Sequence, residues 1–572
     1  VLEEEAVRAT RRAQRMPSSM KHAHRSNGGK QGRRMAFRAR TFPGGYAFKQ
    51  LKGEIEPGLG VAEAPLPSRA IVPLKETFGA EVPALVSEGD TVAAGQIIGR
   101  DDELVSTPIH APVSGRVARI FKLATPDGEV TALEIKSDGS TNWQPVERKY
   151  SDPLTAPPEQ LAETLYLAGV TALGKKGIPT RFNSSPVAPD SVDALVVSAV
   201  HSEPYSLPNG AVLEPNLDVF VSGVRILQRV FGGPRTIISL DARDAALAPK
   251  LESMLSADGV EVALVQPKFP AEYDEVLTEV LLGRMVPDGG TGLDVGALVV
   301  DVQTCLAAHA ACVEGKPLIE RVVALGGTGY KERALVKTRI GTPAHELVKG
   351  RLVEQSLLVH NGALAGQPIL NGDDWPVRRA TWGLTALYDD TSRPFMGWMA
   401  PGFDFDSTSR VFASSYFPPK ARRADTNLAG ELRPCIQCGY CSEVCPRDLL
   451  PFQLDRVLSI DELDEAEELR LFGCIECGLC SYVCVSKIPL MTNIIAGKRR
   501  VHEEHEAEQA ELAKKQAEEE ARQQAGEARQ QAGEARQQAG EARQQAGEAR
   551  QEAGEARQAA EAAENKQEGD AA

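Results

Sequence analysis

From about residue 40 to residue 150 the chain alternates apolar and polar positions in short runs, broken by turn sequences such as SEGD and PDGE. A period of two in runs of that length predicts small all-β structure. After a proline-rich joint, SDPLTAPPEQ at 151–160, the pattern changes. The apolar runs DALVVSAV, RTIISL, VEVALVQP and VGALVVDV now alternate with the helical periods of NLDVFVSGVRILQRV, ARDAALAPKLESML and AEYDEVLTEVLLG. Strands apolar on both faces and separated by amphipathic helices predict an open, mainly parallel α/β sheet. Nucleotides often bind at the strand ends of such sheets. RVVALGGTGYKERALVKTRIGTP at 321–343 is β-rich again and leads into a helical stretch, as in a small β-grasp-like module. Between 446 and 474 the spacing of LDRVLSIDELDEAEELRLFG is helical.

The far end has no such pattern. The unit ARQQAGE recurs from 521 to 548, with Gly526, Gly533, Gly540, Gly547 and Gly554 in register. A coiled coil wants large apolar residues at its a and d positions, and this unit offers only Ala. Each Gly costs a helix ~1 kcal/mol relative to Ala, so a fraying helix or a disordered tail is expected. The chain therefore divides into a basic arm at 1–34, a barrel-sandwich-like β domain at 35–150 and an α/β nucleotide-domain-like unit at 151–315. A β-grasp-like module at 316–415, a helical domain with two cysteine runs at 416–500 and a low-complexity tail at 501–572 complete a multidomain α/β and β chain.

Composition narrows the function. A formal charge of -15, with no basic stripe interleaved with aromatics, argues against a nucleic-acid partner. The apolar runs are too short for a membrane span, which takes roughly 18 or more residues. The arm at 1–34 is rich in arginine but lacks an apolar core, so it reads as solvated, or as a start placed ahead of Met35, and not as a secretory signal.

Cysteine supplies the candidate chemistry. Eight of the 10 cysteines fall within fifty positions, a pattern of metal ligation in a reducing compartment. The first run is Cys435-x2-Cys438-x2-Cys441-x3-Cys445-Pro446; the second is Cys474-x2-Cys477-x2-Cys480-x3-Cys484. In two-cluster ferredoxins the fourth cysteine of each run ligates the other run's cluster. By that rule Cys435, Cys438, Cys441 and Cys484 hold one [4Fe-4S] cluster, and Cys474, Cys477, Cys480 and Cys445 hold the other. Gly439 and Gly478 follow the second cysteine of each run, where backbone must pass close to sulfide. Paired zinc sites are the competing reading, but zinc usually takes separated Cys-x2-Cys pairs. Cys305, His309 and Cys312 share a helical period and read as part of a buried apolar helix, since free cysteine behaves as a small hydrophobe. His110 stands without a second ligand and reads as structural.

These residues carry two resemblances. VSEGDTVAAGQIIG and IHAPVSGRVARI resemble the two halves of a biotinyl or lipoyl-type barrel sandwich, but the hairpin between them, LVSTP, has no lysine, so the domain is a scaffold and not a swinging arm. The order of TFPGG, that β domain, the α/β unit, VEGKPLIERVV with RIGTP, and CIECGLCSYVC resembles the C subunits of the Rnf complexes. Those complexes are the ion-pumping ferredoxin:NAD oxidoreductases of bacterial membranes; a more distant likeness is to the A subunit of the sodium-pumping NADH:quinone oxidoreductase. The resemblance implies a peripheral subunit on the cytoplasmic side of the bacterial inner membrane. It also implies two [4Fe-4S] clusters, integral membrane and other subunits as partners, and ferredoxin or NADH as the redox partner. An assembly scaffold stapled by its clusters is the alternative. The family's flavin- and NADH-binding loop, Gly-Gly-Ala-Gly-Phe-Pro-Thr, reads GKKGIPT here, from Gly174 to Thr180, and its Glu-Cys-Glu-Pro-Tyr string survives as HSEPY, with His201 in place of the first Glu and Glu203, Pro204 and Tyr205 matching. Two lysines remove the close backbone approach that a phosphate needs, which makes FMN and NADH binding doubtful. GGTG at Gly289 to Gly292 precedes a strand and reads as a turn.

Overall fold

The computed structural model describes residues 38–48, 51–56, 58–76, 81–101, 107–125, 128–172, 178–179, 192–370, 372–391, 424–427 and 432–569. The basic arm and most of the LVSTP hairpin lie outside them. From Ala39 onward the described residues form one unit.

The front domain is the expected small β structure. Arg69–Pro73, Gly128–Ser137, Gly115–Thr125 and Thr91–Val92 form an antiparallel sheet in that order, and Ile97–Gly99 pairs with Ile109–His110. Val72, Val92, Ile98, Val117 and Ile135 fill the space between the two sheets. His110 is buried, with Nε2 2.9 Å from the Leu167 carbonyl oxygen, a structural contact as expected.

The described segments of 39–63 pair outside the two sheets of this domain. Arg40 and Tyr46 bridge to Val265 and Phe269 of the α/β unit, and Val61–Glu63 adds a parallel strand beside Ala334–Arg339. The period of a short strand predicts its conformation but not its partner, and here the partners come from far along the chain.

The α/β unit has four parallel strands in the order Glu261–Val265, Arg235–Asp241, Ala194–Ala199, Ala297–Asp301. Every residue of Ala194–Ala199 is buried, because helices cover both faces. The next strand in sequence pairs on one side of Ala194–Ala199 and the last on the other, so the strand order reverses there and leaves a crevice beyond the carboxyl ends. Cys305 and Cys312 are buried in this core, and His309 Nδ1 lies 2.8 Å from Ser222 Oγ, in keeping with an apolar helix face.

A third, mixed sheet has six strands: Val61–Glu63, Ala334–Arg339, Glu320–Gly326, Gly383–Tyr388, Ser356–His360 and Gln367–Pro368. Beyond it the cysteine segment is helical, and no strand occurs among the described residues from 432 on. The tail differs from expectation. One uninterrupted helix runs from Leu490–Gly569, 80 residues or roughly 120 Å at 1.5 Å per residue. Ile494 and Val501 bury against Leu454 and Leu458, and Gly497 lets the two helices meet, since a Cβ there would lie 2.5 Å from Leu458 Cδ2. From His502 to 562 every residue is exposed. Strong helix formers fill six of each seven places, and Gln530 and Gln537 each reach a Glu one turn on at 3.4 Å, so one Gly per unit does not end the helix. Among the described residues no helix is long and apolar enough to cross a membrane.

Candidate metal centre

The two cysteine runs fold as one backbone repeated. Cys435, Cys438, Cys441 and Cys445 have Cys474, Cys477, Cys480 and Cys484 as their counterparts. Three matched pairs, Gln437 with Glu476, Gly439 with Gly478, and Asp448 with Lys487, all have positive φ. Outside glycine such a backbone is uncommon, and here it aims an amide: Gln437 N donates to Cys435 Sγ and Glu476 N to Cys474 Sγ, both at 3.4 Å. Gly439 and Gly478, at φ 78° and 81°, start the short helices Tyr440–Glu443 and Leu479–Tyr482, which carry the third cysteine of each run. Amide donors around thiolates are the environment that iron–sulfur ligation uses to set potential.

The runs also cross. Arg433 N donates to the Ser486 carbonyl oxygen and Ser486 Oγ donates to the Pro434 carbonyl oxygen, both at 2.9 Å. These bonds tie the end of the second run, with Cys484, to the start of the first, beside Cys435. Conversely, Cys445 lies within electrostatic reach of Cys474, Cys477 and Cys480, and Cys438 within reach of Cys441. Among the described residues no three such side chains gather tightly enough for a single metal ion.

Exposure varies along the two runs. Cys435 and Cys438 are exposed, next to exposed Leu432 and Ile436, whereas Cys441, Cys477 and Cys480 are buried. Burial, then the neighbouring thiols, push Cys480 up to about 12; burial first also raises Cys477, Cys474, Cys445 and Cys441. Thiolates at such positions need positive partners. Iron would supply that charge.

Supports from distant chain escape sequence reasoning. A Cβ on Gly44 (φ 63°) would lie 2.6 Å from the Cys445 carbonyl oxygen, and Gly45 N donates to the Val444 carbonyl oxygen at 2.8 Å. The glycines of TFPGG thus admit the N-terminal strap against the first run, and the adjacent pair is the available signal. On the other side, a Cβ on Gly478 would lie 2.5 Å from the Leu364 carbonyl oxygen. Glu203 of HSEPY is buried and accepts from Leu364 N and Ala365 N at 3.1 and 3.0 Å, so it fixes the loop that touches the second run. Tyr482, Phe48, Phe269 and Tyr273 follow one another at ring separations of 5.2, 6.4 and 5.9 Å, from the second run into the α/β unit.

Ser198, His201, Asn209, Asp301, Gln303 and Arg321 line the crevice at the strand ends, about 90 Å³ in volume. Burial, then Arg243, lower the pKa of His201 to about 4, so the imidazole is neutral. Small-molecule pockets usually measure about 300–1,000 Å³, so the described walls do not by themselves enclose a flavin. Gly174 to Gly177 and Thr180, the altered loop, lie outside the described residues. A second cavity of about 430 Å³ runs between the helix Asp274–Leu282 and Cys474 to Glu476, lined also by Arg447 and Lys498. One wall of it is the GGTG turn, as expected a turn: Gly289 has φ 76° and its N donates to the Phe472 carbonyl oxygen at 2.9 Å.

Three family models match parts of the chain. Residues 40–140 match the family model of the RnfC barrel sandwich hybrid domain, 165–310 that of the Nuo51 FMN-binding domain, and 434–488 that of the 4Fe-4S dicluster domain. A Klebsiella pneumoniae (strain 342) protein, named as the C subunit of an ion-translocating oxidoreductase complex, is 30% identical over 421 residues, 72% of this chain and 51% of its own. One of the same name from Pseudomonas aeruginosa is 30% identical over 478 residues, 82% of this chain and 56% of its own. The chain spans about half the length of the curated relatives it matches. A solved NAD+-reducing [NiFe]-hydrogenase in its air-oxidized state is 15% identical at a TM-score of 0.37, covering 62% of this chain and 68% of that one. In its domain order and over 72% to 82% of its length, the chain is similar to the C subunits of ion-translocating oxidoreductase complexes.

Proposed function

We propose that this chain is the iron–sulfur electron-transfer subunit of a membrane-bound, ion-translocating oxidoreductase complex. Cys435, Cys438, Cys441 and Cys484 would hold one [4Fe-4S] cluster, and Cys474, Cys477, Cys480 and Cys445 a second. The observation that carries this reading is the repeated backbone with crossed ends. The same left-handed residues and the same amide-to-sulfur bonds recur in both runs; Ser486, near Cys484, is bonded to Pro434, beside Cys435, and Cys445 lies within electrostatic reach of Cys474. Two such centres within one helical segment suit single-electron transfer in series, and the clusters supply that redox chemistry. The chain's own part is to set geometry and potential; no acid or base is assigned, because no proton is moved.

The partners in this reading are integral membrane and other subunits of the complex, with ferredoxin or NADH as redox partner. The chain would sit peripherally on the cytoplasmic side of the bacterial inner membrane. FMN is left out of the route because the glycine loop reads GKKGIPT here, although residues 165–310 match the Nuo51 FMN-binding domain model. Electron paramagnetic resonance on the anaerobic protein, titrated through the potentials of ferredoxin and NADH, tests the proposal. Two signals that appear and vanish reversibly are expected. Clusters that stay silent over that range would reduce them to staples of an assembly scaffold.

A further inference from the structure

The two runs share a backbone but not a charge. Just past its fourth cysteine, after Pro446, the first run has Arg447; at the matching place the second has Ser486. Both are buried. Ser486 is neutral and spends its hydroxyl on the Pro434 carbonyl oxygen at 2.9 Å. The Arg447 side chain is 4% exposed; its Nη2 donates to the Val286 carbonyl oxygen at 2.7 Å and lies 3.4 Å from Asp288 Oδ1. Its Nε has no hydrogen-bond partner among the described residues, and the residue lines the cavity beside Cys474. Asp288 also receives Arg470, Nε at 2.8 Å and Nη2 at 2.9 Å. Val286 and Asp288 belong to the α/β unit, in the loop after Asp274–Leu282. One domain thus holds two guanidinium groups against the other, and both lie within electrostatic reach of Cys445.

We propose that Arg447 is a positioning residue that raises the reduction potential of the cluster ligated by Cys445, so that the two clusters of this chain are unequal. Reduction adds a negative charge to the site, and a fixed buried cation stabilises that charge more than a solvated one does. The cluster that takes Cys484 has neutral Ser486 at the equivalent place; the cation within electrostatic reach of Cys484 is Lys487, which is less buried than Arg447 and so more solvated. The electron therefore rests preferentially on the centre beside the α/β unit, and the α/β unit sets this preference through Val286 and Asp288. This inference rests on the cluster assignment proposed above.

The test is a redox titration of the full, anaerobically purified chain followed by electron paramagnetic resonance, on wild type, Arg447→Ser and Arg447→Lys. Arg447→Ser makes the first run match the second. It is expected to move one midpoint to more negative potential and leave the other in place, while Arg447→Lys keeps both near wild type. Unmoved midpoints in Arg447→Ser, or an equal shift in Arg447→Lys, would overturn the charge effect. If Arg447→Ser loses its iron, Arg470→Gln is read instead: a smaller shift of the same midpoint in the same direction supports the proposal, and none overturns it. A wild-type chain without two reducible signals would sink the cluster assignment itself, an outcome distinct from two signals that do not move.

Discussion

Gly478 and Gly439 occupy the same place in the repeat and have nearly the same backbone, yet their surroundings differ. A side chain at either must accept a positive φ, a cost of about 1–2 kcal/mol. At Gly439 nothing lies within 4 Å of an added Cβ, whereas at Gly478 the Leu364 carbonyl oxygen is 2.5 Å away. Gly439→Ala should therefore keep its iron with a modest loss of stability, and Gly478→Ala should shed iron from the second run, as read by iron content and thermal unfolding. Equal behaviour of the two variants would mean that the Leu364 loop is not pressed on that run. The need for glycine at both positions is legible in the cysteine spacing. The closer fit at Gly478 is not, because Leu364 and the carboxylate of Glu203 that holds its loop come from distant parts of the chain.

Elements with a strong period are readable as such. DALVVSAV, RTIISL, VEVALVQP and VGALVVDV form the four parallel strands, and NLDVFVSGVRILQRV forms the helix Leu217–Val230. Two departures have different causes. The strap at 39–48 and the strand Val61–Glu63 pair outside the two sheets of the front domain because their partners are distant in sequence, which a local period does not encode. The tail stays helical because the helix-forming strength of the other six positions outweighs the cost of one Gly in seven, even without large apolar residues. Its independence can be tested. Truncation after Ala510 keeps Val501 and the His505–Glu467 ion pair at 2.9 Å, and of the residues described to 562 removes only exposed helix. Iron content and the unfolding midpoint of the folded body should be unchanged, while the helical signal in circular dichroism falls. A loss of iron would show that the tail supports the centre.

At the scale of the whole molecule, the buried histidines His110 and His360 couple stability to pH. Burial, then Arg379, lower the pKa of His110 to about 3; burial, then Arg378 and Arg321, do the same to His360. Both folded values lie below the unfolded value of about 6.5. The unfolded chain therefore takes up protons first, and the stability present above that pH is lost as pH falls. Each histidine contributes about 1.4 kcal/mol per pH unit below it. Urea midpoints should drop between pH 7 and pH 5 at constant iron content, and His110→Gln should flatten the slope; a level profile would contradict the burial of these rings in solution.

The wider account depends on two iron centres with exchanged fourth ligands, because that arrangement locks the strap, the α/β unit and the third sheet around one helical segment. Chemical analysis of the anaerobically purified chain for iron, acid-labile sulfide and zinc tests it most directly. About eight irons and eight sulfides per chain, as two [4Fe-4S] clusters require, is the predicted result; a colourless protein that contains zinc and no sulfide would contradict it.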